Sequence, residues 1–244
     1  MYACIGILAL RPAQLSAEKI NQNTWGSPIT IETKDGVILS AIYQKPKKTN
    51  RPTWILLHGL GSVKEEWKPF AKLLSKQGYG YLAFDLRGHG ESIKTKSGGA
   101  IFYQEFRTEG EGSQWFAMIS DAGVIVKFLK DKKTPVNSIY LVGASIGANI
   151  TINYAASNPA IKTVVLFSPG LKYAGGLTTP EAVNAYKGTV IIGVSEGDQY
   201  AYYSSLQLQA QNPSIKLLTK PGTAHGVNLF DGKWELQILS ALAR

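Results

Sequence analysis

The chain has 244 residues, of which 44% are hydrophobic, and this composition suits one globular domain with a sizeable core. The single cysteine, Cys4, excludes an internal disulfide framework and a cysteine-based metal site. The three histidines lie far apart and show neither H-x-x-x-H nor H-E-x-x-H spacing, so the sequence predicts no metal ion.

The net charge of +9 raises the question of a nucleic-acid partner. The basic residues fall in a polar turn at 45–51, at the end of a helix at 127–133 and at scattered positions. Cations at the end of a helix suit its dipole, and no helix-turn-helix, zinc finger or RNA-binding aromatic motif accompanies them. We therefore predict a solvated basic surface and no nucleic-acid partner.

Residues 1–10 are apolar but are too few to cross a bilayer, and no basic residue precedes them. Packing on the domain is a better interpretation of this segment than a working signal peptide. We assign residues 1–28 to an N-terminal extension and expect no stable membrane span. Localisation stays open: the cytoplasm is slightly favoured, and an exported or anchored form is the alternative.

Alternating residues at 29–33 and 37–43 flank an Asp-Gly turn and predict a β-hairpin. The apolar run at 53–57 is typical of a strand buried on both faces. Further strands are predicted at 79–84, 138–142, 163–167, 189–194 and 215–218, and helices at 67–77, 114–130, 146–157, within 202–211 and at 233–242. This alternation predicts one α/β domain over 29–244, with a mostly parallel sheet and helices on both faces.

The stretch 140–149 reads as a buried strand, a tight turn with Ser145 at its apex, and the first turn of a helix. The turn has the pattern G-x-S-x-G, in which side chains at Gly143 or Gly147 would collide with the neighbouring strand and helix. The motif alone is a weak signal, but its strand and helix flanks strengthen it. We predict Ser145 as a catalytic nucleophile, with a purely structural glycine-rich turn as the alternative.

A serine hydroxyl needs a base, and the base needs an orienting group. His225 is the only histidine after Ser145 and lies in a glycine-bounded loop, so it is the predicted general base; a plain surface histidine is the alternative. Asp198 follows the preceding strand and is the predicted acid, with Glu196 as the fallback. The competing interpretation of Asp198 is a cap for the next helix.

Catalysis also needs amide donors for the oxyanion that develops on the substrate. We assign these donors to two N–H groups: that of Ile146, at the start of the helix that follows Ser145, and that of Leu60, in the glycine-rich loop after strand 53–57. His58 is predicted to brace that loop rather than to transfer protons. The charged groups of 85–92, His89 included, are interpreted as an internal loop scaffold.

With these residues in place, the chain resembles the α/β-hydrolase superfamily from residue 29 to its end. It is most similar to the serine esterase and lipase branch that includes monoacylglycerol lipases and small carboxylesterases. The resemblance implies an α/β-hydrolase fold, a Ser145–Asp198–His225 triad and no cofactor. Its motifs are H-G-x-G at 58–61, D-x-R-G-H-G-x-S at 85–92, G-x-S-x-G at 143–147, G-D at 197–198 and H-G at 225–226.

The chain departs from many relatives at 168–188, which is too short for a lid of several helices. We therefore expect little or no cap domain and an open or lightly covered site. Segment 93–113 is either a flap over the acyl pocket or an ordinary solvated loop. Aromatic residues that either line the pocket or simply pack are Tyr173, Tyr200, Tyr202 and Tyr203.

The expected function is hydrolysis of small-molecule carboxylic esters with short to medium acyl chains, through an acyl-enzyme. A serine at the elbow argues against a dehalogenase, which needs a carboxylate nucleophile. A thioesterase, amidase or peptidase would use the same triad, and the sequence does not separate them. A non-catalytic hydrolase-fold binding protein is the alternative from another class.

Overall fold

The computed structural model describes residues 25–48 and 50–242. The strands are β1 Ser27–Glu32, β2 Val37–Gln44, β3 Thr53–Leu57, β4 Gly80–Phe84, β5 Lys94–Thr95, β6 Ile139–Ala144, β7 Thr163–Phe167, β8 Lys172–Tyr173, β9 Leu177–Thr178, β10 Thr189–Ser195 and β11 Lys216–Lys220. The α-helices are α1 Lys68–Lys76, α2 Gln114–Asp131, α3 Ile146–Ala156, α4 Pro180–Ala185, α5 Gln199–Gln211 and α6 Trp234–Leu242.

The main sheet has the order β1-β2-β4-β3-β6-β7-β10-β11, with β5 paired to β2. Pairing is antiparallel at β1–β2 and β2–β4 and parallel from β4 to β11. The predicted fold class, a mostly parallel sheet within an α/β fold, is confirmed. All parallel strands end at one side, the carboxyl edge, and begin at the other, the amino edge.

Helices cover both faces of this sheet, and one apolar core lies on each face. The core on one face includes side chains of α2 and α3, and the core on the other includes those of α1 and α6. Strand β3 is buried at every position, as its continuous apolar run predicts. In the second core, the indole of Trp54 meets the rings of Phe70 and Tyr140 edge-on, each at 5.4 Å between centroids.

The element boundaries differ from the sequence predictions in a few places. Strand β1 begins at Ser27, inside the predicted extension 1–28, of which residues 1–24 lie outside the described part. Helix α5 begins at Gln199 rather than near 202. Segment 168–188 holds the short β8–β9 hairpin and α4, neither of which was predicted. Among the described helices, none combines the length and apolar character that crossing a bilayer requires.

Candidate active site

Ser145 occupies the sharp turn between β6 and α3 with φ 54° and ψ −122°, a left-handed backbone conformation that costs a non-glycine residue energy. Its N–H donates to the carbonyl of Phe167 at 2.8 Å, which ties the turn to β7. A side chain at Gly143 would strike the carbonyl of Gly147, and one at Gly147 would strike that of Leu57. The two glycines therefore permit the turn that holds Ser145 at the carboxyl edge.

His225 and Asp198 are hydrogen-bonded, with 2.7 Å between Nδ1 and Oδ2. Asp198 stands at the N-cap position of α5, yet its side chain makes no capping bond and is directed to His225 instead. The fallback acid, Glu196, is exposed and accepts a hydrogen bond from Thr219 at 3.2 Å. The geometry therefore favours Asp198 as the partner of His225.

The turn of Ser145 and the loop of His225 are both tied to the end of β7, at Phe167 and Ser168 respectively. The N–H of Gly226 donates to Ser168 Oγ at 3.0 Å, and a side chain at Gly226 would lie 3.4 Å from Cβ of Ala144. Among the described residues, the hydrogen bonds of the site join His225 to Asp198 but do not join His225 to Ser145. Catalytic hydrogen bonds often form only when substrate binds, so this geometry is compatible with the predicted role of His225 as the base for Ser145.

Tyr173 lies next to Ser145. Its hydroxyl donates to the carbonyl of Ser168 at 3.0 Å and lies beside the hydroxyl of Ser145. Burial raises the pKa of this phenol, and the interaction with Ser145 opposes that shift only in part. Tyr173 is therefore a neutral hydrogen-bonding group next to Ser145, whereas its sequence suggested only a pocket wall or plain packing.

The loop after β3 brings backbone amides close to Ser145. A Cβ added at Gly59 would lie 3.5 Å from Cβ of Ser145, so the loop passes directly over the turn. Neither the N–H of Leu60 nor that of Ile146 donates to another group among the described residues. Ile146 also begins α3, where the helix dipole is positive. Both amides are thus available to a negatively charged oxygen.

Glu66, which was not among the predicted site residues, braces this loop. Its carboxylate accepts hydrogen bonds from the N–H of Gly59 at 3.1 Å and from the hydroxyl of Ser62. Burial raises its pKa, while these bonds and the nearby His225 act in the opposite direction. In the sequence, Glu66 looks like one of two acidic residues that favour the first turn of a helix, so no local signal indicates its role.

His58 braces the same loop from inside the protein, as predicted. It is fully buried, its Nδ1 bonds to the carbonyl of Gly59 at 2.7 Å, and its Nε2 accepts from the N–H of Leu86 at 2.9 Å. His89 is also buried, and its ring stacks on Tyr103 with centroids 4.0 Å apart. Burial lowers the pKa of both histidines, which fits structural rather than proton-transfer roles.

We expect buried His58 to make stability fall at mildly acidic pH. Burial, with a contribution from His89, lowers its pKa from 6.5 to about 4. Between these values the unfolded chain binds a proton that the folded chain does not, so the stability present above pH 6.5 is lost as pH falls. The free energy of unfolding should drop by about 3 kcal/mol by pH 4. Urea unfolding at several pH values measures this drop, which His58→Gln should reduce; a flat wild-type profile would contradict a neutral buried His58.

Segment 85–92 forms the internal scaffold that its charges predict. Asp85 is buried and accepts from the ammonium of Lys64 at 2.8 Å and from the N–H of Glu91 at 2.9 Å. Arg87 is 1% exposed, and its guanidinium donates two hydrogen bonds to each of two carboxylates. The bonds to Asp121 are 2.6 and 2.7 Å long, and the bonds to Asp35 are 2.7 and 3.1 Å long. These interactions fix the loop between β4 and α2.

Segments 101–112 and 172–178 contact each other beside the site. The N–H of Gly110 donates to the carbonyl of Gly175 at 2.9 Å. Tyr103 stacks on His89, and its hydroxyl lies next to Gly61 in the loop after β3. Segment 93–113 is therefore packed against the domain at its aromatic residues, although Phe102 remains 40% exposed.

The described residues contain no group of three or more His, Cys, Asp or Glu side chains arranged to hold a metal ion. The site described above is built from side-chain and backbone groups of the chain itself. Its donors and acceptors suit attack on a carbonyl carbon, with Ser145, His225, Asp198 and two free amides at one edge.

The sequence matches the family described as serine aminopeptidase, S33, over residues 48–193, more than half of the chain. The chain belongs to this family of α/β hydrolases. The matched range includes β3, the loop after it and the turn at Ser145, and it ends before Asp198 and His225.

This α/β hydrolase is similar to protein phosphatase methylesterase 1 of Debaryomyces hansenii, with 25% identity over 138 residues. The match covers 54% of this chain and 32% of the relative, about a third of its length. Among solved structures, an esterase of Pyrococcus furiosus has a TM-score of 0.69 and 23% identity, covering 89% of this chain and 92% of its own. A dienelactone hydrolase of Anabaena variabilis has a TM-score of 0.67 and 19% identity, covering 89% and 94%. These structures share the fold.

Proposed function

We propose that this α/β hydrolase is a serine hydrolase that cleaves carboxylic esters of small molecules with short to medium acyl chains. The observation that carries the proposal is the 2.7 Å hydrogen bond between His225 and Asp198, at the same edge of the sheet as the strained turn of Ser145. A histidine oriented by a carboxylate beside an elbow serine is the arrangement that activates a hydroxyl for acyl transfer.

In the proposed mechanism, the bond from Nδ1 to Asp198 leaves Nε2 of His225 as the proton acceptor. The oxygen of Ser145 attacks the ester carbonyl carbon as its proton passes to Nε2. The tetrahedral oxyanion accepts hydrogen bonds from the N–H groups of Leu60 and Ile146. Collapse breaks the bond to the alcohol oxygen, which takes the proton from His225. Water, deprotonated by His225, then attacks the acyl-enzyme and releases the acid and free Ser145.

Two features support a small substrate with a short or medium acyl chain. The side chain of His225 is 43% exposed, so the site is open to solvent around its base. Between β7 and β10 the chain has only the β8–β9 hairpin and α4. A long acyl chain needs an extended apolar channel, and such short elements provide little wall for one.

An amidase or peptidase with the same triad is the second candidate, and the description of its family as serine aminopeptidases favours it. The names of the methylesterase relative and of the esterase neighbour favour esters. The two reactions differ in the leaving group, because an amine must be protonated before it departs whereas an activated alcohol leaves more easily.

The test is hydrolysis of p-nitrophenyl esters from acetate to palmitate, beside a thioester and an anilide that carry the preferred acyl group. For each substrate, kcat/KM is divided by the rate constant of the uncatalysed hydrolysis, and we expect the ester to give the highest ratio. Among the esters, we expect kcat/KM to be highest at an acyl chain much shorter than palmitate. A preference for the anilide would establish the amidase instead. Absence of turnover on every substrate would favour the non-catalytic binding protein.

A further inference from the structure

The amino edge of the sheet, where the parallel strands begin, is strongly basic. It comprises the loops and element ends at 44–53, 75–81, 129–139, 157–163, 185–189, 211–216 and 240–242. Eleven exposed cations lie there, ten of them lysines: Lys45, Lys47, Lys48, Arg51, Lys76, Lys130, Lys132, Lys133, Lys162, Lys187 and Lys216. Residues far apart in sequence thus form one positively charged surface.

Carboxylates are nearly absent from this edge. Within the described residues of these ranges, Asp131 is the one carboxylate, and it pairs with Lys127, which lies a turn away. None of the eleven cations forms an ion pair with a carboxylate of the described residues; Lys162, Lys187 and Lys216 instead donate to backbone carbonyls. The loops and element ends at the carboxyl edge hold twelve carboxylates and ten cations, counted over 32–36, 57–68, 85–114, 168–179, 195–199 and 220–234. The positive charge is therefore concentrated at the amino edge.

A cleft of about 660 Å³ opens within this surface, between the β1–β2 hairpin and the end of α2. Its apolar wall includes Tyr43 and Phe128, whose rings meet edge-on at 5.6 Å. Its rim carries Lys45, Arg51, Lys132 and Lys133. Acidic headgroups and the adjoining apolar chain atoms of a lipid are complementary to such a combination.

Two observations favour an anionic lipid bilayer over a nucleic acid as the partner. The chain enters the described structure at Trp25, which stacks on Tyr81 at the start of β4, so the apolar residues 1–10 are joined to this same edge through residues 11–24. In addition, no helix-turn-helix, zinc finger or RNA-binding aromatic motif accompanies the cations in the sequence. Clustered lysine and arginine side chains are attracted to the anionic headgroups of a bilayer by about 1 kcal/mol each.

We propose that the amino edge docks this protein on anionic phospholipid bilayers. Docking at this edge directs the carboxyl edge, with Ser145, away from the lipid. Strand β6 has six residues, so Ser145 stands about 20 Å from the amino edge along the strand direction. The enzyme would then act on esters dissolved in the adjoining water rather than on the bilayer lipids.

The experiment uses the full chain and measures sedimentation with vesicles of phosphatidylcholine, with and without 30% phosphatidylglycerol. Two variants of equal charge are compared. One replaces Lys45, Arg51, Lys132 and Lys133 with Gln at the amino edge, and the other replaces Lys34, Lys94, Lys96 and Lys233 with Gln at the carboxyl edge. We expect the first to weaken binding to anionic vesicles by about 100-fold and the second to have a much smaller effect. Salt at 0.5 M should weaken wild-type binding as well.

Equal Tm values and equal hydrolysis of a soluble ester by both variants would show that the surface alone has changed. Vesicle binding is measured without turnover, so its failure is distinguishable from failure of the proposed esterase function. Equal binding to neutral and anionic vesicles, or equal loss in the two variants, would overturn the proposal. Tighter binding to a 30-base-pair DNA duplex than to the vesicles at the same salt concentration would overturn it in favour of a nucleic acid.

Discussion

Replacing Ser145 with alanine is expected to lower kcat/KM for the preferred ester by about 10⁵-fold. Alanine removes the only atom that forms the acyl-enzyme, while His225, Asp198 and the two amide donors remain. Residual hydrolysis above the uncatalysed rate should persist, because oxyanion stabilisation and substrate binding do not need the hydroxyl. The turn itself should survive, since the left-handed conformation is imposed by the strand and helix around it.

The matched control is Ser97→Ala, which removes an exposed hydroxyl in the 93–113 segment and should leave kcat/KM unchanged. Asp198→Asn should cost about 10⁴-fold, because the tautomer and orientation of His225 are lost. A fluorophosphonate should label wild-type Ser145 and not the alanine variant, as read by peptide mass spectrometry. Full activity in Ser145→Ala would contradict the assigned nucleophile.

Replacing Arg87 with alanine is expected to destabilise the fold by about 3–5 kcal/mol. Arg87 is 1% exposed, and its guanidinium holds both carboxylate oxygens of Asp121, which is also 1% exposed. The variant leaves a buried negative charge without its partner. Asp35 is about half exposed and regains water, so it should contribute much less to the loss.

Three comparisons identify the cause of this loss in urea unfolding. Arg87→Ala should be less destabilising at pH 5 than at pH 8, because the orphaned Asp121 carboxyl can bind a proton and its folded-state pKa then exceeds its unfolded one. Adding Asp121→Asn should recover part of the stability, giving a coupling energy well above zero. Lys94→Ala, which removes an exposed cation, should change stability by less than about 0.5 kcal/mol. A similarly small loss for Arg87→Ala would contradict the buried ion pair.

The strands and the elbow were predictable because their signals are local. Four consecutive apolar residues after a threonine are sufficient to indicate β3 and β7. The glycines on either side of Ser145 indicate a tight turn, because they leave room for the backbone to pack closely there. Chain order then leaves His225 as the one downstream histidine. The sequence left two candidates for the acid, Asp198 and Glu196, and the hydrogen bond to His225 favours Asp198.

The remainder of the site depends on contacts between distant segments. Glu66 braces the loop after β3 through its carboxylate, and an acidic residue at this position is equally common at an ordinary helix start. The bond from Gly110 to Gly175 joins two insertions, and neither contains a periodic pattern that indicates its partner. Hairpin β8–β9 is too short for alternation to be visible. The basic amino edge combines cations from six separate segments, so it arises only when the strands are brought side by side.

The opposite charge balance of the two edges gives the molecule an electric dipole roughly parallel to its strands. Near an anionic surface, such a molecule experiences a torque within about 10 Å at 0.1 M salt, and it therefore rotates before it makes contact. The same field acts on substrates during diffusion. Negatively charged esters would be drawn to the end of the protein that lacks Ser145, so encounters at the catalytic end should be more frequent for neutral and cationic esters.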